Sequence, residues 1–119
     1  MKLQNLLLGL EKHHKKKLDL SLGRTFNLLK KLGNPQDKLE NVISIVGTNS
    51  KASMAYSLQS ILGQNGYKCN LYTSPHLTSY TERFIYDDHE INEENLTELI
   101  QDVEKVLGND NATVFEILT

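Results

Sequence analysis

With 119 residues, a formal net charge of −2, 39% apolar and 24% charged side chains, the chain has the make-up of one globular domain or a piece of a larger one. That balance excludes a strong field recruiting nucleic acid or a membrane surface, and a single cysteine, Cys69, excludes an intrachain disulfide. No apolar run approaches the roughly 18 residues of a membrane helix. The leucine patch at 6–10 is interrupted by Gly9 and followed, rather than preceded, by basic residues, so it does not read as a secretory signal. The expected location is cytoplasmic.

In chain order, Leu3, Leu6, Leu7 and Leu10 recur at i, i+3, i+4, i+7 and predict an amphipathic helix. E-K-H-H-K-K-K, residues 11–17, breaks the pattern and reads as a solvated helix end, where cations suit the dipole. His13 and His14 point about 100° apart on a helix and make no metal pair. No aromatic residue is interleaved to stack on bases. Ser21 predicts the cap of a second helix, with Leu22, Phe26 and Leu29 on one face, ended by G-N-P at 33–35. V-I-S-I-V at 42–46 is short, apolar and β-branched, and predicts a buried strand. A loop at 47–50 follows. A helix is then predicted from about Lys51 to Asn65, with Ala55, Leu58, Ile61 and Leu62 inward and Gly66 ending it. K-C-N-L-Y-T at 68–73 predicts the second strand of a right-handed βαβ unit. Residues 82–91 read as a hairpin turning near Asp87 and Asp88, with His89 solvated in that turn. Asn92 is a good N-cap for a helix with the stripe Leu96, Leu99, Ile100, Val103 and Leu107, closed by Gly108. T-V-F-E at 113–116 has the capping-box spacing. The ending at F-E-I-L-T has no polar tail and reads as a truncation.

The fold class expected is α/β, a partial, mostly parallel sheet with a P-loop-type βαβ unit preceded by two N-terminal helices. Such sheets bind ligands beyond the carboxyl ends of their strands, where the loops after 42–46 and 68–73 would lie. In the first of these loops, backbone amides at a helix N-terminus favour an anion. Lys51 adds a charge that reaches outer phosphates, and Ser53 adds a hydroxyl. A strict G-x-x-x-x-G-K-[ST] scan fails, because Ile45 and Ser50 stand at the glycine positions and Ala52 follows the lysine. On pattern alone, a nucleotide loop and an ordinary strand-to-helix turn both remain open.

V-G-T-N-S-K-A-S, residues 46–53, resembles the ATP loop of folylpolyglutamate synthase and dihydrofolate synthase in the Mur-ligase-like family, which reads G-T-N-G-K-G-S. L-Y-T-S-P-H-L at 71–77 matches that family's second signature, and E-R-F at 82–84 falls where the family has E-R-I. L-G-N-P-Q at 32–36 and F-E-I-L-T at 115–119 agree in order and spacing. K-L-D-L-S-L-G-R at 17–24 resembles the early pterin-contacting segment. The resemblance covers nearly the whole chain. It implies the N-terminal portion of a truncated Mur-ligase-like ATPase domain: a helical lead over 1–40, a βαβ core with loop and hairpin over 41–91, a helix over 92–108 and the start of another over 113–119. The C-terminal domain would be absent.

The implied activity is ATP-dependent addition of L-glutamate to dihydropteroate or a folate. A carboxylate is a poor acyl donor, so its oxygen is first phosphorylated and the acyl phosphate is then attacked by the glutamate amine. Phosphoryl transfer of this kind is mostly positioning and charge neutralisation. ATP and Mg2+ are implied, with Gly47, Thr48, Asn49, Ser50, Lys51, Ala52 and Ser53 on ATP and Lys51 as the catalytic cation. Ser74 and Glu116 match magnesium-holding positions, although bottom-up they read equally as a turn residue before Pro75 and the acid of the capping box. Leu18, Asp19, Leu20 and Arg83 match substrate-contacting positions, with Tyr80 and Glu82 in the same mobile loop. His76 is given no role by the family pattern. The implied partners are small molecules (a pterin or folate carboxylate, L-glutamate and ATP), with no nucleic acid or membrane, and a monomer as the full-length protein.

The chain departs from the family at Ser50 and Ala52, which replace loop glycines. If Ser50 must be left-handed, strain of roughly 1–2 kcal/mol is expected. The competing expectation is therefore a degenerate nucleotide-binding or structural module without catalysis. A small P-loop kinase is a third reading, which T-S-P-H-L opposes, and a nucleic-acid module built on 11–17 is a fourth.

Overall fold

The computed structural model describes residues 2–13 and 22–119. It divides into two compact units, one formed by 1–41 with 93–119 and the other by 42–92.

The first unit is helical. α1 (Leu3–His13), α2 (Gly23–Lys31), α4 (Glu93–Leu107) and α5 (Val114–Leu118) pack pairwise, α1 and α2 each on α4, and α5 on both α1 and α4. The predicted leucine stripe is the core. Leu3, Leu6, Leu7 and Leu10 are all buried, as are Leu28, Leu96, Ile100, Leu107, Ile117 and Leu118. A fully buried leucine stabilises by about 1.5–3 kcal/mol, so this cluster holds the helices together. Two expected faces differ. In α2 the buried residue is Leu28, while Leu22 and Phe26 are exposed. Apolar residues stand on opposite sides of that short helix, so period alone does not choose between them. In α4, Leu99 is exposed while its neighbour Ile100 is buried.

The helix ends follow the sequence signals. Gly33 lies at φ 79°, and the amides of Asn34 and Gly33 donate to Leu29 O (2.8 Å) and Lys30 O (3.1 Å). This doubly bonded glycine stop ends α2. Lys31 Nζ donates to Leu107 O (3.2 Å) and pairs with Asp110 (2.9 Å), a cation placed at the negative end of α4.

The second unit carries α3 (Lys51–Gln64) and a small sheet of β1 (Leu71–Tyr72), β2 (Phe84–Tyr86) and β3 (His89–Glu90), in that order. Both pairings are antiparallel, with Tyr72 opposite Phe84 and Ile85 opposite Leu71 and Glu90. This corrects the expected parallel sheet and βαβ unit. Residues 42–46 form no strand, and the run 68–73 narrows to Leu71–Tyr72. A strand exists only where a neighbour accepts its ladder of amides and carbonyls. The one partner β1 finds among the described residues is β2. The 42–46 run has none, and its Val42, Ile43 and Val46 are exposed.

The hairpin fell where expected. Asp87 (φ 50°) and Asp88 (φ 65°) are both left-handed, the geometry whose twist matches a two-residue hairpin. α3 ends one residue before the expected Asn65. Gly66 (φ 84°) stands just beyond it, and Tyr67 N donates back to Leu62 O (3.0 Å). Of its expected inner face Ala55 is buried, but Ile61 is exposed.

Candidate functional site

The loop after residue 46 turns sharply into α3. Ser50 is its N-cap, at φ 59° and ψ 14°, and its hydroxyl makes no capping bond. A serine in this left-handed conformation carries strain of roughly 1–2 kcal/mol that glycine would not. Ala52, by contrast, lies in regular helix. There a methyl group favours the helix over glycine by about 1 kcal/mol. The two departures from the glycine-rich pattern are therefore not equivalent: one strains the loop and the other stiffens the helix.

No acidic residue stands in the first turn of α3. The amides of that turn, with the helix dipole, form a place for an anion. Lys51 Nζ folds back over the same turn and donates to Gly47 O (2.7 Å) and Thr48 O (3.5 Å). The ammonium is thus held beside the loop that carries the amides. Gly47, Thr48, Asn49, Ser50, Lys51, Ala52 and Ser53 are contiguous around this turn.

Ser74 follows β1 and opens a loop running to Arg83. At its neck, Thr73 N donates to Arg83 O (2.9 Å). At its tip, the Glu82 carboxylate accepts from Leu77 N (2.7 Å), Thr78 N (2.8 Å) and Ser79 N (2.8 Å), and from the Thr78 hydroxyl. Ser79 and Glu82 also form a capping box for the 3-10 turn Tyr80–Arg83. The Thr78 hydroxyl first, and then the Leu77, Ser79 and Thr78 amides, hold the Glu82 carboxyl down to about 2. Arg83 Nε donates to His76 Nδ1 (2.9 Å), and its guanidinium lies 5.2 Å from the Tyr80 ring centroid. His76 and Tyr80 rings are 4.1 Å apart. Arg83, one of the expected substrate contacts, is therefore fixed by His76 and Tyr80. The sequence reading places Tyr80, Glu82 and Arg83 in one loop but gives neither the His76–Arg83–Tyr80 cluster nor the closing role of Glu82. The signal was present, since S-Y-T-E at 79–82 has the same spacing as T-V-F-E at 113–116.

Glu116 belongs to the helical unit. Thr113 N donates to its Oε2 (2.6 Å), and Glu116 N donates to Thr113 Oγ1 (3.1 Å), completing the second capping box. Arg24 Nε of α2 reaches both carboxylate oxygens (3.2 and 3.3 Å). Burial works to raise this carboxyl, but the Thr113 amide and Arg24 outweigh it, and it lies below its ordinary value. Glu116 is ionised at neutral pH and held by Arg24 and Thr113.

Ser74 and Glu116 offer oxygen atoms, the donors Mg2+ prefers, and a Mg2+ bound beside phosphates takes only one or two protein ligands and keeps waters. The fit is one of donor type: Ser74 belongs to the 42–92 unit, and both oxygens of Glu116, in the helical unit, are engaged by Arg24 and the Thr113 amide. Among the described residues, no group of three or more His, Cys, Asp or Glu side chains gathers to hold a metal by itself. Leu18, Asp19 and Leu20 lie outside the described residues. So does the capping role expected of Ser21 and most of the basic run 11–17. Among the described residues no helix is long and apolar enough to cross a membrane.

No protein-family model matches the chain. Individual relatives do. The dihydrofolate synthase/folylpolyglutamate synthase of Escherichia coli (strain K12) is 36% identical over 107 residues, 90% of this chain and 25% of that protein. The dihydrofolate synthetase of Saccharomyces cerevisiae is 35% identical over 104 residues, 86% of this chain and 24% of the relative. Among solved structures, E. coli FolC in complex with DHPP and ADP superposes with a TM-score of 0.84 at 34% identity, covering 99% of this chain and 28% of that one. The folylpolyglutamate synthetase from Lactobacillus casei gives a TM-score of 0.85 at 28% identity, covering 99% of this chain and 31% of its own. The chain spans about a quarter of the length of the curated relatives it matches. By sequence and by fold it belongs to the dihydrofolate synthase/folylpolyglutamate synthase family.

Proposed function

We propose that the chain supplies the phosphate loop of an ATP-dependent ligase that adds L-glutamate to dihydropteroate or a folate. The observation that carries this is the turn 47–53, where Lys51 Nζ lies 2.7 Å from Gly47 O beside the uncapped amides of α3. The relatives bear on the same reading, since one solved structure holds DHPP and ADP and another, from Yersinia pestis, holds AMPPNP and a Mn ion.

In this reading the amides of 47–53 cradle the ATP phosphates and Lys51 neutralises charge as the phosphoryl group passes to the substrate carboxylate. The acyl phosphate so formed is attacked by the glutamate amine, and phosphate leaves. Ser74 and Glu116 are proposed as oxygen donors to Mg2+, which when bound screens the phosphate charge. Arg83, with Leu18, Asp19 and Leu20, is proposed to contact the pterin or folate. The intact enzyme is read as a cytoplasmic monomer without nucleic-acid or membrane partners, and these 119 residues alone as inactive.

Titrating ADP with Mg2+ onto the chain and its Lys51→Ala variant tests the reading. Saturable binding that weakens about tenfold or more in the variant is expected, since a charge-assisted contact is lost. Absence of binding, or binding indifferent to Lys51, overturns it. A second reading, a nucleotide-binding or structural module without catalysis, is favoured by one observation, the left-handed Ser50. It predicts that Ser50→Gly/Ala52→Gly gains affinity, whereas equal affinities show the substitutions to be harmless.

A further inference from the structure

We propose that Glu82 is a positioning residue, whose carboxylate closes the 74–83 loop into one fixed arrangement and so presents Ser74 to the metal and Arg83 to the substrate. The inference rests on the functional reading above.

Three consecutive amides, Leu77, Thr78 and Ser79, converge on this one carboxylate, and the Thr78 hydroxyl joins them. Successive amides pointing into one concavity form an anion receptor. Here an internal side chain fills it, so the receptor serves the loop rather than a ligand. Glu82 immediately precedes Arg83, and the receptor immediately follows His76, the group that Arg83 Nε binds at 2.9 Å. The carboxylate therefore ties the two arms of the loop directly beside the His76–Arg83 contact. At the neck, Thr73 N on Arg83 O (2.9 Å) ties the same arms beside Ser74. Between these ties the segment 74–76 has little freedom left. Leu77 is 93% exposed, so apolar burial does not hold this tip. The polar closure does, and a site whose groups are fixed in advance loses less entropy on binding.

The test compares the 119-residue chain with its Glu82→Gln and Thr78→Ala variants. Glutamine keeps the shape but removes the charge and one acceptor oxygen. Thr78→Ala removes one hydroxyl and keeps the three amide bonds. Amide hydrogen exchange is read at 77–79, and Mn2+ with ADP is added as a paramagnetic probe at the Ser74 amide. In Glu82→Gln, exchange at 77–79 is expected to rise about tenfold or more, as local opening becomes easier. Mn2+ broadening at Ser74 is expected to fall severalfold, while ADP still shifts the amides of 47–53. Thr78→Ala, which loses one of the four contacts on the carboxylate, is expected to fall between Glu82→Gln and the unsubstituted chain in both readouts. Unchanged exchange in Glu82→Gln overturns the proposal. So does faster exchange with unchanged Mn2+ broadening, which would make Glu82 structural only. Absence of Mn2+ broadening at Ser74 in the unsubstituted chain overturns the metal reading itself, and this role with it.

Discussion

The two units are held by different forces. In the helical unit, leucines from α1, α2, α4 and α5 bury one another, and Leu10 is the most enclosed, at 2% exposure. In the 42–92 unit, Ala55 is the one buried apolar side chain among the described residues. Order there comes from directed polar contacts: the Glu82 receptor, the Thr81 and Ser79 hydroxyls 2.7 Å apart, and Gln59 Nε2 donating to Cys69 O (3.0 Å). Apolar burial tolerates imprecision and adds up. Polar closure adds less net stability per contact but fixes atoms in place. The groups proposed for phosphate and substrate binding sit mainly in the second kind of structure.

The largest expected effect tests the first half of that contrast. Leu10→Ala should destabilise the helical unit by about 2–5 kcal/mol, through lost transfer energy and a cavity. Urea unfolding followed by the protection of α1 and α4 amides measures it. A change below about 1 kcal/mol would mean the leucine cluster is loosely packed. A smaller effect concerns the turn 47–53. Ser50→Gly relieves roughly 1–2 kcal/mol of left-handed strain, against roughly 0.5–1 kcal/mol for glycine's greater backbone freedom. A net gain of about 0.5–1 kcal/mol is expected in the midpoint for α3 unfolding, and a loss would show that the serine side chain is needed there.

The smallest effect is local. Glu82 titrates near 2 in the folded chain, below its ordinary 4.5, chiefly because the Thr78 hydroxyl and the 77–79 amides bind the carboxylate. Its contribution to loop closure is therefore fully present above pH 4.5 and is lost as pH falls through about 2. Exchange at 77–79 should stay slow down to about pH 4 and quicken only below it. Quickening near pH 6 would point to another titrating group. Glu116 shifts in the same direction, but burial opposes its shift. It sharpens the contrast between a carboxylate held by an exposed loop and one held against a helix packing.

What the sequence made legible follows the same division. The α1 stripe, the G-N-P stop, the hairpin at Asp87–Asp88 and the T-V-F-E box were readable because each depends on residues within one or two turns of each other. Ser50 was readable as a strain point because a glycine-type position implies a left-handed residue. The 42–46 strand was not. Its β-branched residues report a preference, but a strand also needs a neighbour to pair with, and no local pattern supplies one. Phe26 and Leu28 show a milder case, where an apolar residue on each side of a nine-residue helix leaves the buried face to the packing partner. Glu82 was legible as a member of the loop but not as its closing group, because that role emerges only when three amides turn toward it, although S-Y-T-E carried the hint.

The exposed V-I-S-I-V run has a practical consequence. It is uncharged, free of proline and glycine, and rich in β-branched residues, the composition that adds strands intermolecularly and seeds fibrillar stacking. With Val46 at 88% exposure, nothing in the run itself acts as a gatekeeper. Self-association of the chain is expected to begin at this run, next to the turn 47–53. Ser44→Lys places a charge in the run and is expected to reduce self-association, read by light scattering against concentration.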